Sequence, residues 1–100
     1  MNDTVVLSMM GKSMRHYADI MKKNFDQLYE EGAENPVVMC IPLHPFLIGQ
    51  PHRIGIFAEV LDYITSHDKV WVTTGREIAE YYNEHHYDNV AAALSARRNI

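Results

Sequence analysis

Five consecutive apolar residues, Val-Val-Met-Cys-Ile at positions 37–41, constrain the fold of this chain more than any other feature. The run lies between Pro36 and Pro42 and shows no alternation of apolar and polar positions. An apolar run of this length without alternation is typical of a strand that is buried on both faces, as in a parallel sheet. A second short run, at 70–74, is followed by Gly75 and is also predicted to be a strand.

Amphipathic helices are predicted around these two runs. In the clearest of them, apolar residues recur at steps of three and four: Met14, Tyr17, Ala18, Met21, Phe25 and Leu28. Ser13 is placed to cap its N terminus, and Gly32 is placed to end it. A second helix is predicted from a stripe formed by Ile54, Phe57, Leu61 and Ile64. A third begins at Arg76, so the order helix, strand, helix, strand, helix predicts a parallel α/β architecture.

Length and composition limit the size of the domain that this chain can form. The 100 residues, of which 47% are hydrophobic and 22% charged, are typical of a globular chain, and residues 1–100 are predicted to form one small domain or a piece of a larger one. Residues 88–100 form a tail that either adds a helix or frays. Two five-residue strands cannot protect both faces and both edges of a sheet. Three alternatives therefore stay open: further strands from the chain ends, association, or membership of a longer protein.

Charge and hydropathy exclude several classes of function. A net charge of −4 disfavours a nucleic-acid binder, which normally carries a basic surplus. No apolar run approaches the roughly 18 residues that cross a bilayer, and the N terminus does not resemble a signal peptide. Cys40 is the only cysteine, so we expect a reducing, cytoplasmic setting. From the net charge and the hydropathy, we expect neither nucleic-acid nor membrane partners. Because the strands are short and few, we also expect a homo-oligomer.

His44 is the strongest candidate for chemistry. It follows the first predicted strand, on the side where parallel α/β proteins build their sites, and Pro45 pushes its backbone toward an extended conformation. Arg53 stands at the start of the second predicted helix. Two interpretations stay open from the residues alone. His44 is either a hydrogen-bonding cap beside a solvated arginine, or an acid or base at a reaction centre.

Two stretches together carry a family resemblance. Residues 41–53, Ile-Pro-Leu-His-Pro-Phe-Leu-Ile-Gly-Gln-Pro-His-Arg, and residues 70–79, Val-Trp-Val-Thr-Thr-Gly-Arg-Glu-Ile-Ala, resemble the C-terminal part of the polysaccharide deacetylase family. The likeness covers residues 11–82 and is greatest to the branch of peptidoglycan deacetylase-like and allantoinase-like enzymes. It implies the C-terminal βα units of a deformed (β/α) barrel, incomplete on its own. The implied enzyme is a hydrolase of carbon–nitrogen bonds other than peptide bonds.

The resemblance also implies roles for individual residues. His44 matches the family's leucine–histidine motif and would be the catalytic general acid. Leu43 and Arg53 would contact the substrate, an N-acetylated carbohydrate or a related linear amide, with Leu43 beside the acyl methyl group. Metal-dependent members hold zinc or a similar divalent ion with an early aspartate motif and a His-x-x-x-His motif, both of which this sequence lacks. We therefore expect no cofactor in this chain and no activity from it alone.

The remaining candidates are expected to be structural. Trp71 is predicted to lie in the core rather than on a sugar-binding surface, and Cys40 to be a small inert apolar residue. His85 and His86 are predicted at an exposed helix end. A different class of function also stays open, namely a non-catalytic βα module that associates with itself or docks on a partner chain.

Overall fold

The computed structural model describes residues 1–98 and divides into two compact units, Met1–Val70 and Trp71–Ile100. The first unit contains a π-helical segment and three helices: Thr4–Met9 (the π-helical segment), Met14–Glu31 (α1), Pro45–Ile48 (α2) and Pro51–Thr65 (α3). The second unit contains two helices, Gly75–His85 (α4) and Tyr87–Arg98 (α5). None of the helices within residues 1–98 is long and apolar enough to cross a membrane.

The predicted α/β fold, with its βα units of a barrel, is wrong. Every regular element within residues 1–98 is helical, and the runs 37–41 and 70–74 form no strands. Val38 is 63% exposed and Val72 is 73% exposed, so neither run is buried on both faces. A strand is stabilised by hydrogen bonds to a neighbouring strand. Within the described part of the chain, no backbone hydrogen bond joins either run to another extended segment.

Helix α1 forms as its periodicity and caps predict. The hydroxyl of Ser13 accepts a hydrogen bond from the His16 N–H at 3.1 Å, and Gly32 is the C-cap, so both predicted ends are confirmed. The predicted apolar face is also confirmed, because five of its residues are buried: Met14, Tyr17, Ala18, Met21 and Phe25. Helix α1 therefore provides the largest buried surface of the first unit.

The core of the first unit forms where α1 meets the other helices. Leu7 of the π-helical segment, Ile48 of α2 and Val60 of α3 pack into one cluster with the buried face of α1. Ile41 and Leu43, from the segment before α2, pack against this cluster. The core therefore holds in place the segment that carries His44.

Half of the predicted apolar stripe of α3 meets the core, because Phe57 and Ile64 pack against it. Ile54 and Leu61, two members of the predicted stripe, are 47% and 43% exposed, whereas Val60 is fully buried. Ile56 and Ile64 flank Val60 at steps of four and pack against the core. Because the apolar residues of α3 surround much of the helix, its sequence does not specify which side meets α1.

An aromatic cluster joins the C-terminal ends of α1 and α3. The ring of Phe25, which is buried, lies 6.0 Å from the ring of Tyr63 and 4.8 Å from that of His67. Tyr29 lies 5.1 Å from His67, and its hydroxyl donates to the Asp68 carbonyl at 2.9 Å. These contacts hold the C-terminal end of α1 against the C-terminal end of α3 and the residues that follow it.

The second unit has few buried side chains. Thr74 caps α4 by accepting a hydrogen bond from the Glu77 N–H at 3.2 Å. Trp71 is 57% exposed and contacts the ring of Tyr81, so the prediction that Trp71 lies in the core is wrong. His85 and His86 are exposed at the end of α4, as predicted.

Candidate functional site

His44 is held at the boundary between an extended segment and a helix. It is the N-cap of α2, with φ −121° and ψ 120°, and Pro45 occupies the first turn. The proline disfavours a helical backbone at the residue before it, so the helix cannot extend back through His44. The side chain of His44 is 43% exposed, which leaves part of the imidazole open to solvent.

A buried carboxylate contacts both the backbone and the ring of His44. Asp3 is fully buried, and its Oδ2 accepts a hydrogen bond from the His44 backbone N–H at 2.6 Å. Its Oδ1 lies 2.7 Å from the ring atom Nδ1. Sequence reasoning missed Asp3, because 41 residues separate it from His44. The available signal was an acidic residue shortly before a short apolar segment, of which Val6 and Leu7 are buried.

The hydrogen-bond network assigns the tautomer of His44. An ionised carboxylate only accepts hydrogen bonds, so Nδ1 carries the hydrogen and donates it to Asp3. The hydroxyl oxygen of Thr4 lies 3.0 Å from the same Nδ1 and accepts a share of that hydrogen. The atom Nε2 is thereby left as the nitrogen that exchanges a proton with a reacting group.

Opposing effects set the ionisation of Asp3. Burial disfavours the charged carboxylate and by itself would raise the pKa of Asp3. Hydrogen bonds from the ring and backbone of His44 and from the backbone of Thr4 outweigh burial and lower this pKa below its ordinary value. Asp3 is therefore ionised at neutral pH and orients the imidazole as a charged acceptor.

Tyr17 ties the segment that carries Asp3 to helix α1. Its hydroxyl donates to the Met1 carbonyl at 2.5 Å, and its side chain is fully buried. Burial, with a further contribution from the charge of Asp3, raises the pKa of Tyr17 to about 12. Tyr17 therefore stays protonated and remains a donor over the pH range in which proteins work.

The two predicted substrate-binding residues have other contacts. Leu43 is partly buried and packs against the core. The guanidinium of Arg53 donates from Nη1 to the Leu47 carbonyl at 3.2 Å, in α2. Beside the imidazole lies Phe46, whose ring centroid is 5.6 Å from that of His44 and whose side chain is 68% exposed. The substrate contacts of Leu43 and Arg53 stay predictions.

Cys40 does not lie where its sequence context predicts. It is a free cysteine and is exposed, because the run 37–41 is not buried. Within residues 1–98, no three side chains of histidine, cysteine, aspartate or glutamate come together in a way that could hold a metal ion. The residues present thus do not fit the zinc site of the metal-dependent family members.

Comparison with known proteins gives one informative similarity. No family model matches the chain, and no solved structure matches it. Over 63 residues, 62% of this chain, it is 43% identical to a Schizosaccharomyces pombe protein named "Putative polysaccharide deacetylase". The chain spans about a fifth of that relative's length, since the matched stretch covers 20% of it. The similarity supports the polysaccharide deacetylase family, a family of hydrolases, as the one to which this stretch of sequence is related.

Proposed function

We propose that this chain supplies the general acid of a polysaccharide deacetylase-like hydrolase, and that His44 is the acid. The observation that carries the proposal is the hydrogen bond between the buried Asp3 carboxylate and Nδ1 of the half-exposed His44. A carboxylate in this position stabilises the imidazolium and keeps Nε2 directed away from itself. The leucine–histidine resemblance at Leu43 and His44 and the 43% identity to the S. pombe protein support the reaction class.

The proposed step is the departure of an amine from a tetrahedral intermediate. Water adds its oxygen to the carbonyl carbon of the amide, and a carboxylate base outside this chain takes the water's proton. When the carbon–nitrogen bond breaks, the imidazolium of His44 gives the Nε2 proton to the amine nitrogen. The products are a carboxylic acid and a free amine, and Asp3 still holds Nδ1. General acid catalysis of this kind accelerates such a step by about 10²–10⁴-fold.

The proposed substrate is an N-acetylated carbohydrate or a related linear amide. Leu43 adjoins His44 in the sequence and would bound the acyl pocket, and Arg53 would contact the polar part of the substrate. We place the chain in the C-terminal part of such an enzyme, because the leucine–histidine motif that it resembles is a late one. The base lies elsewhere, so the chain alone would be inactive. The free Cys40 is the reason to propose a reducing, cytoplasmic setting.

A chimera tests the proposal directly. This chain replaces the similar stretch of the S. pombe relative, and acetate release from N-acetylglucosamine oligomers and from a linear N-acetyl amine is measured. We expect the chimera to release acetate and His44→Ala to lower turnover by about 10²–10⁴-fold. Arg15→Ala, which removes an exposed ion pair with Glu59, is the control and should leave turnover unchanged. Full turnover in the His44→Ala chimera contradicts the assignment.

A second proposal, self-association, rests on exposed apolar side chains. Met9 is 77% exposed and Phe46 is 68% exposed in the first unit, and Val72 is 73% exposed in the second. Exposed apolar surface drives association when the copies can cover it. Size-exclusion chromatography with light scattering should show a homo-oligomer. A monomer across the accessible concentration range would contradict this second proposal.

A further inference from the structure

The buried phenol of Tyr17 makes a hydrogen bond to the segment that carries Asp3, and the proposed reaction does not use it. Its side chain is 0% exposed, and its hydroxyl donates to the Met1 carbonyl, two residues before Asp3. We propose that Tyr17 is a positioning residue, which fixes the N-terminal segment so that Asp3 holds the His44 ring in one orientation and one tautomer. Its catalytic consequence rests on the proposed function, whereas its effect on the ring rests on the geometry alone.

Contacts with the core hold the backbone on both sides of Asp3. On its C-terminal side, Val6 and Leu7 are buried in the core and anchor the π-helical segment. On its N-terminal side, the Tyr17 hydroxyl provides a short hydrogen bond from α1 to the Met1 carbonyl. The backbone contact of Asp3 itself is weaker, since its N–H lies 3.5 Å from the Pro42 carbonyl. Tyr17 and the two buried residues thus hold Asp3 from both sides.

A displacement of Asp3 would change its hydrogen bonds to His44. Its two oxygens accept from the backbone N–H at 2.6 Å and from Nδ1 at 2.7 Å, so a small displacement lengthens both bonds to His44. The tautomer of a histidine is set by the hydrogen bond that its other nitrogen makes. Loss of the Tyr17 hydrogen bond therefore frees the imidazole to populate both tautomers and more than one ring orientation.

The helix itself offers a matched control. Tyr29 also lies on α1, and its hydroxyl also donates to a backbone carbonyl, that of Asp68 at 2.9 Å. It belongs to the aromatic cluster at the other end of the helix and makes no hydrogen bond to the Asp3–His44 pair. Tyr17→Phe and Tyr29→Phe each remove one hydroxyl and keep the ring, so they differ in where the hydrogen bond is lost.

The experiment is ¹⁵N NMR of the histidine side chains in this chain at mildly alkaline pH. In the unmodified chain, we expect Nδ1 and Nε2 of His44 to give well-separated signals for a single Nδ1–H tautomer. Tyr17→Phe should move the two signals toward each other, as the tautomers mix, while Tyr29→Phe leaves them in place. In the chimera, Tyr17→Phe should lower kcat by about 10-fold or more, and Tyr29→Phe should not.

Three results overturn the proposal. Unchanged His44 signals in Tyr17→Phe show that the hydroxyl does not position the ring. Equal changes in both variants show a general loosening of the helices instead. If Tyr17→Phe does not fold while Tyr29→Phe does, the hydroxyl serves stability. If Tyr17→Phe moves the His44 signals but no variant of the chimera releases acetate, the positioning role stands and the general-acid function fails.

Discussion

Replacing the buried carboxylate by its amide, Asp3→Asn, removes one charge and changes one acceptor into a donor. In the native chain the carboxylate accepts three hydrogen bonds: from the Thr4 N–H at 2.8 Å, from the His44 N–H at 2.6 Å and from His44 Nδ1 at 2.7 Å. The asparagine side chain has one acceptor oxygen, where the carboxylate of Asp3 has two. If the oxygen stays on Nδ1 and the Thr4 N–H, the NH₂ group points at the His44 N–H, which loses its partner. If the amide is flipped, the Thr4 N–H loses Oδ1 and Nδ1 must become an acceptor, so at least one of the three bonds is lost either way.

The expected loss of stability follows from this count. A buried donor without a partner costs about 1–3 kcal/mol, and loss of a charged acceptor places the value toward the upper end of that range. A unit of this size has a free energy of unfolding of roughly 4–10 kcal/mol. For a domain of 60–100 residues, 1 kcal/mol lowers the midpoint by about 4–8 °C, so a loss of about 2–3 kcal/mol in Asp3→Asn should lower it by roughly 8–24 °C.

Thermal unfolding at neutral pH, followed by far-ultraviolet circular dichroism, measures this loss. Asp19→Asn is the matched control, because Asp19 is an exposed aspartate of α1 that pairs with Lys23 on the same helix, at 3.0 Å. We expect the control to change stability by less than about 0.5 kcal/mol. If Asp3→Asn and Asp19→Asn unfold at the same temperature, the reasoning from a buried, triply bonded carboxylate is wrong.

Three further predictions concern pH, the aromatic cluster and the second unit. Folding lowers the pKa of Asp3, so its stabilisation is complete above the unfolded value of about 3.9 and is lost as the pH falls through the folded value. Acid unfolding followed by circular dichroism should therefore be less steep in Asp3→Asn; an identical acid transition would contradict this. Phe25→Ala should destabilise the first unit by about 3–5 kcal/mol in a urea titration, because its buried ring packs against those of Tyr63 and His67; a loss below about 1 kcal/mol would show that the cluster is not packed. Trp71→Ala should change stability by less than about 0.5 kcal/mol in the same titration, because the side chain is 57% exposed; a core-sized loss would contradict this.

Local signals in the sequence were sufficient for helix α1. Its apolar residues repeat at helical spacing, Ser13 satisfies the first free N–H groups and Gly32 ends the helix, and all of this lies within 20 neighbouring positions. Such features act through the backbone of the segment itself, so they need no knowledge of the rest of the fold. The extended backbone of His44 was also predictable, because Pro45 acts on its immediate neighbour.

Tertiary structure alone decided that residues 37–41 form no strand and that Asp3 contacts His44. The apolar, β-branched residues at 37–41 suit a strand, but a strand exists only beside a partner, and the described chain provides none. The sequence likewise does not show that Asp3 is the partner of His44, since 41 residues separate the two. They come together because the π-helical segment packs against α1. The sequence by itself determined which residues were apt for a helix, a cap or proton transfer. Which of them meet was decided by packing, because contacts between distant segments depend on how all the buried faces fit together at once.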